Sequence, residues 1–249
     1  MARFVGFWAE RRRKMMCNVQ EDGQLVFRWK GKPAATVETY RNPFHGENCY
    51  IRLHLLGTDF PPGELFSLLR REAACPLQIM TPPTDAIVPV LLAGGFQLRR
   101  RCYEMEVTEA CLREPLQEEL PLVFCEKGTD TYCACCDALY QYYSRVHQAV
   151  SPLTASKPDF FARLPEEAVC QRRDGEILHF AFLAENEIAY IGTAGLKCFS
   201  GFARSLLARQ FQQFKTLYFE CDSCDPAAML LKDAFISEPI GILDTYIFL

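Results

Sequence analysis

The chain has 249 residues, 49% of them apolar and 23% charged, and carries a net charge of −4 at neutral pH. That length and composition suit one large or two small globular domains with a substantial buried core. The mild acidity gives no electrostatic basis for nucleic-acid binding. No stretch approaches the ~20 apolar residues of a membrane span, and Arg3, Glu10 and Arg11 interrupt any export-signal core, which predicts a cytoplasmic protein.

In chain order, 24–29 and 34–40 read as paired strands around a Gly31-Lys32-Pro33 turn, followed by a strand over 49–55. Pro61-Pro62 opens a helix over 63–70, and 76–80 is a short strand. Thr84 is read as the cap of a helix running to Leu92 and closed by Gly94-Gly95. The run 97–107 alternates as a long strand. Two basic runs, 11–14 and 99–101, are short and read as solvated strand or turn.

The segment 110–127, with five Glu and two Pro, reads as a connector. Leu139, Tyr143, Val146 and Val150 then mark a helix over 130–150, and a short helix follows over 157–164. Tyr140, Tyr142 and Tyr143 lie on the first of these. The 13 cysteines read as reduced thiols, many of them buried. Cys133, Cys135 and Cys136 diverge around a helix, and Cys221-x-x-Cys224 lacks a second ligand pair, so no metal site is expected. His45, His54, His147 and His179 fall in no nucleophile or metal pattern.

The most informative stretch is 187–235. It reads as a strand over 187–193, a turn over 194–200 holding Gly195, and Gly201-Phe202-Ala203 opening a helix at 204–214. A strand over 216–221 and a second helix opened by Asp225-Pro226 follow. A strand feeding a glycine turn and a helix start aims several backbone N–H groups at one point, which suits a phosphate. The chain ends on the aromatic strand 244–249.

This order of elements, clearest from Glu176 to Leu249, resembles the GNAT acetyltransferase superfamily. There the turn carries Arg/Gln-x-x-Gly-x-Gly/Ala; here Cys198-Phe199-Ser200-Gly201-Phe202-Ala203 stands in its place, with Cys198 replacing the leading Arg or Gln. Asp225-Pro226-Ala227-Ala228 stands where the family has Asn-x-x-Ala. The family's Tyr about seven residues further on is absent, and Lys232 occupies that place.

The resemblance implies an α/β (α+β) fold of two acetyltransferase-like domains, each a mixed central sheet flanked by helices. Residues 1–109 form a degenerate first copy, 110–127 a linker and 128–249 the copy that binds acetyl-CoA. The first copy has Asp59, Pro61 and Pro62 where the phosphate turn belongs, which removes donors and adds a repelling charge.

The implied activity is transfer of an acetyl group from acetyl-CoA to a primary amine on a small molecule or peptide, without a metal. The other reading is a catalytically inactive acyl-CoA-binding or partner-binding protein, and oligomerisation is left open. The implied cofactor contacts are Ile191, Thr193, Phe199, Ser200, Gly201, Phe202, Ala203 and Asp225. Candidate bases are Glu187 and Glu220, and Tyr190 and Tyr246 are substitute proton donors to the thiolate. Strand alternation puts Glu187, Ala189 and Ile191 on one face and Ile188 and Tyr190 on the other.

Overall fold

A computed structural model describes residues 16–19, 25–116 and 120–249. The run 11–14 lies outside the described residues. The chain is mixed α/β and forms two compact units, Met1–Arg99 with Asp244–Leu249, and Arg100–Leu243.

In the first unit, β1 (Met16–Val19), β2 (Leu25–Trp29), β3 (Lys32–Tyr40) and β4 (Cys49–Leu55) pair antiparallel in sequence. The β2–β3 hairpin turns on Lys30 and Gly31, at φ 49° and 81°, so Lys32 and Pro33 already belong to the strand. Helix α1 (Pro62–Ala73) starts with proline in its first turn and buries Leu65, Phe66 and Leu69, one stripe of the helix. It connects β4 to the parallel strand β5 (Leu77–Thr81).

Helix α2 spans Val88–Ala93, not 84–92. Thr84 does not cap it. Asp85 instead closes a turn, accepting from Thr81 Oγ1 at 2.7 Å and from the Ile87 amide at 3.0 Å. At Gly94 an added Cβ would lie 2.3 Å from the Phe66 ring, so only glycine lets this corner close on the core. The last strand of the chain, β12 (Gly241–Phe248), pairs antiparallel with β5 over Asp244–Phe248.

In the second unit, β6 (Gln97–Thr108) leads to a 3₁₀ turn, Glu109–Cys111, and within the segment read as connector lies a further strand, β7 (Val123–Glu126). Helix α3 (Asp130–His147) is capped by Thr129, whose hydroxyl accepts from the Tyr132 amide, and α4 (Lys157–Phe161) is capped by Ser156. Strands β8 (Glu167–Arg173), β9 (Glu176–Ala184) and β10 (Glu187–Thr193) form an antiparallel meander with β7. Helix α5 (Phe199–Phe211), β11 (Thr216–Asp222) and α6 (Pro226–Lys232) follow. β11 runs parallel to β10 and antiparallel to β6.

Period-two alternation on β9 sends Phe180 and Phe182 toward Tyr142 and Tyr132 of α3, with ring centroids 6.1 and 5.5 Å apart. The intervening set sends His179 toward Phe199 and Phe202 of α5. The sheet of this unit is therefore covered on both faces. Arg100, inside the basic run 99–101, is buried rather than solvated, because it pairs with Asp222 across the sheet.

Each unit contains one parallel strand pair that barely pairs. β4 and β5 share only Cys49↔Leu77 and Tyr50↔Gln78, and β10 and β11 share only Glu187↔Tyr218. In both places the strands part toward the helix that follows.

Candidate functional site

The opening between β10 and β11 begins at Asn186. Its carbonyl accepts from the Tyr218 amide at 3.0 Å, and its side chain donates to the Thr216 carbonyl at 3.1 Å. Beyond Glu187↔Tyr218 no ladder joins the strands. A β-bulge also sits in β10, where Ile188 faces Leu183 and Tyr190 faces Phe182, leaving Ala189 as the extra residue. The bulge breaks the alternation expected from sequence, and Glu187, Ile188, Ala189, Tyr190 and Ile191 all line one cavity of about 300 Å³.

The other walls of the cavity are Tyr142, Tyr143 and His147 of α3, Phe219, Glu220 and Asp222 of β11, and the start of α6. The structure thus brings together Glu187, Glu220, Tyr190, Ile191 and Asp225 from the sequence-predicted set. Tyr246 is elsewhere, in the buried core of the first unit, 3.3 Å from Asp244. Tyr140 packs on Phe160 and Phe161 and donates to the Ala155 carbonyl.

Four carboxylates face this cavity, and they differ. Asp222 accepts from Arg100 at 2.9 Å and lies 3.1 Å from His147 Nε2. Burial works against its charge, but the His147 contact and the Arg100 guanidinium outweigh burial and hold the carboxyl below its ordinary value. His147 Nδ1 faces the Tyr143 carbonyl at 3.1 Å, so both ring nitrogens have a polar partner. Asp225 caps α6, accepting from the Ala227 and Ala228 amides, and also accepts from the Tyr142 hydroxyl at 2.5 Å. Burial nonetheless raises its carboxyl, with those hydrogen bonds opposing.

Glu220 accepts only from the Cys102 thiol, at 3.8 Å, and no cation pairs with it or with Glu187 among the described residues. Glu220 keeps surface open to the cleft, yet the protein packed around it raises its carboxyl, and Asp222, Glu104 and Glu187 raise it further. Burial, Glu187 and Glu220 raise the Tyr190 phenol.

Arg100, His147 and Asp222 were not singled out from sequence. The signals available were an arginine inside an alternating strand and a histidine one turn from Tyr143.

The turn into α5 differs from the sequence expectation. α5 begins at Phe199, not Arg204, and ends at Phe211. Gly201, Phe202 and Ala203 therefore lie within its first turns. The cause is packing: Phe199 and Phe202 are fully buried against His179, and that burial outweighs the helix penalty of one glycine.

Cys198 takes the left-handed φ of 63° just before the helix. Thr193 Oγ1 accepts from the Gly195 amide at 3.0 Å and contacts His179 Nδ1 at 2.7 Å, which fixes the turn from below. The Ser200 and Gly201 amides take no backbone partner among the described residues, and Lys197 and Ser200 are exposed beside them. Thr193, Phe199, Gly201 and Phe202 are buried and shape the turn, while Ser200 is exposed.

Phe199, Ser200 and Ala203 border a second cavity of about 260 Å³ between α5, the end of α6 and the segment 112–116. That segment is held by Arg113, whose amide and Nε donate to the Ala234 and Asp233 carbonyls, and by a Glu114–Arg204 ion pair at 3.0 Å.

Burial raises the thiols of Cys221 to about 12 and Cys224 to about 11, so the C-x-x-C motif offers thiols rather than thiolates. Among the described residues no group of three His, Cys, Asp or Glu side chains is placed to hold a metal, and no helix is long and apolar enough to cross a membrane.

No family model matches the chain, and no curated protein matches it. Solved structures do. A GCN5-related N-acetyltransferase from Sphaerobacter thermophilus is similar over 90% of this chain and 80% of its own, at 11% identity and a TM-score of 0.48. A tandem GNAT protein from the clavulanic acid biosynthesis pathway is similar over 90% and 82%, at 11% identity and a TM-score of 0.47. A functionally unknown conserved protein from Staphylococcus epidermidis covers 96% of both chains at 11% identity and a TM-score of 0.50. These are likenesses of fold alone.

Proposed function

We propose that this chain is an N-acyltransferase that takes an acetyl group from acetyl-CoA and passes it to a primary amine, on a small molecule or peptide, in the second unit. The observation that carries the reading is the parting of β10 and β11 after a single register pair, beside a bulge. It frees β10 backbone groups to hold a thioester carbonyl and opens a cleft bordered by carboxylates. The residues present fit the donor. The Ser200 and Gly201 amides and the Lys197 ammonium suit a pyrophosphate, and the cleft beside Ile191 suits the thioester arm.

In this scheme Glu220 takes a proton from the acceptor ammonium, its raised carboxyl lying nearer the working pH. The amine nitrogen attacks the thioester carbonyl, the carbon–sulfur bond breaks, the leaving thiolate takes up a proton from Glu220 or from Tyr190, and the second nitrogen proton returns to the group that gave it, one proton passing to solvent. Amine and thioester become amide and thiol. Asp222, held by Arg100 and His147, fixes α3 against β11 and keeps the cavity shape.

The first unit is proposed to hold no cofactor. The amides of Leu56 and Gly57 in its corresponding turn already donate to the Ala34 carbonyl, and Pro61 and Pro62 offer none.

A second reading, a binding protein without turnover, has its own observation. Tyr142 reaches from α3 to the α6 cap over Gly192, where an added Cβ would lie 2.9 Å from the Tyr142 ring, and α6 carries Lys232 where the family has Tyr.

Hydrogen exchange with and without acetyl-CoA tests the first reading. Protection should rise at Tyr190–Thr193 and at Ser200–Gly201, and stay unchanged at Leu56–Gly63. Unchanged exchange at both second-unit segments would remove the cofactor assignment.

A further inference from the structure

In the first unit two cysteines far apart in sequence meet at the end of α1. Ala74, at φ 56°, closes that helix in the left-handed region and turns the chain back, so Cys75 and Pro76 run beside the start of β4. The Cys49 amide donates to the Pro76 carbonyl at 2.8 Å, and Cys49 is in register with Leu77. Cys75 precedes Leu77 by two residues and falls on the same side. Both cysteines pack in one apolar cluster, and their side chains are hydrogen-bonded to each other. The two thiols differ in access. Cys75 is half-buried, whereas Cys49 is buried and lines a cavity of about 560 Å³ together with Tyr40, Arg41 and Glu72. Burial and the Cys75 thiol raise the Cys49 thiol, and the Arg41 guanidinium opposes them. Arg41 is tied in place, donating to the Gly46 and Ala73 carbonyls at 3.2 and 3.5 Å. Cys125, Cys135 and Cys170 also neighbour one another, but all three are buried.

We infer that Cys75 and Cys49 form a thiol–disulfide exchange site for a low-molecular-weight disulfide, with Cys75 as the attacking thiol and Cys49 as the resolving one. In the first step Cys75 gives its proton to solvent and its sulfur attacks one sulfur of the small disulfide. That S–S bond breaks, a mixed disulfide forms on Cys75, and the released thiolate takes up a proton. In the second step Cys49 gives up its proton, with Arg41 beside the developing thiolate, and attacks the Cys75 sulfur. The second small thiol leaves and is protonated. The two cysteines lose two electrons, and one small disulfide becomes two thiols. The new bond clips the start of β4 to the end of α1. It closes the loop 49–75, which constrains the unfolded chain and raises the resistance of the first unit to denaturant. Neither step uses acetyl-CoA or the second unit.

The test is incubation of the folded full chain with glutathione disulfide, followed by alkylation and trypsin digestion. Cys49 and Cys75 fall in separate peptides, 42–52 and 72–99, each with a single cysteine. In the parent these peptides should be joined as their main product and be separated by dithiothreitol. Cys75→Ser should leave 42–52 alkylated. Cys49→Ala, shown folded by circular dichroism, should stop with glutathione on Cys75. The two tryptophans, Trp8 and Trp29, both precede Arg99, so their fluorescence reports the first unit. Its urea midpoint should rise on oxidation of the parent and stay unchanged in Cys75→Ser. Unjoined peptides in the parent, joining only in the presence of urea, glutathione on Cys49 in a folded Cys75→Ser chain, or an unchanged midpoint in the joined chain overturns the inference.

Discussion

Glu220→Gln will lower turnover about 10²–10⁴-fold, the range for loss of a general base, while acetyl-CoA affinity stays as in the parent. The change is isosteric and removes a proton acceptor without touching the α5 amides that suit the pyrophosphate. Glutamine still accepts from the Cys102 thiol, so the local hydrogen bond survives. The parent's rate should rise with pH through the raised titration of Glu220, since only the carboxylate accepts a proton. The deficit of the variant should shrink at high pH, where the amine arrives deprotonated. Glu187→Gln is the matched control, with its main effect on acceptor KM. Full activity in both single variants and in the double variant would shift deprotonation to a water chain.

Arg100→Met will destabilise the second unit by about 3–5 kcal/mol, because it leaves Asp222 as a buried charge with His147 alone. Urea denaturation measures it. The pH dependence has a definite sign. The Asp222 carboxyl is held below its ordinary value, so its contribution is present above the unfolded value of about 3.9 and is lost as pH falls through the lower folded value. Parent and variant should therefore differ fully at neutral pH and converge in acid below that value. A difference that persists undiminished in acid would assign the loss to packing of the arginine stem instead.

What could be read from the chain was what is local. The strands 187–193 and 216–221, the second one residue short of its end at Asp222, and the Asp225-Pro226 helix start were legible because alternation, a cap and a first-turn proline act within a few residues. The resemblance to the acetyltransferase superfamily rested on the same order of elements. The start of α5 was misplaced because glycine at 201 signals a break, whereas burial of Phe199 and Phe202 against His179, twenty residues away in sequence, decides the helix.

The bulge at Ala189 undid the face assignment on β10, since one extra residue reverses every later position. Asp174-Gly175, with φ of 53° and 87°, is a strong local hairpin signal, and it turns β8 into β9. The ion pair that organises the cavity joins residues 122 apart and has no local signature.

The most direct test of the central claim is a calorimetric titration of acetyl-CoA into the full chain and into Gly201→Glu. The account predicts one site per parent chain, in the second unit, and in the folded variant a loss of affinity of at least about 100-fold, as an anion at the first turn of α5 repels the pyrophosphate. Two sites per parent chain, or unchanged affinity in a folded Gly201→Glu chain, would contradict it.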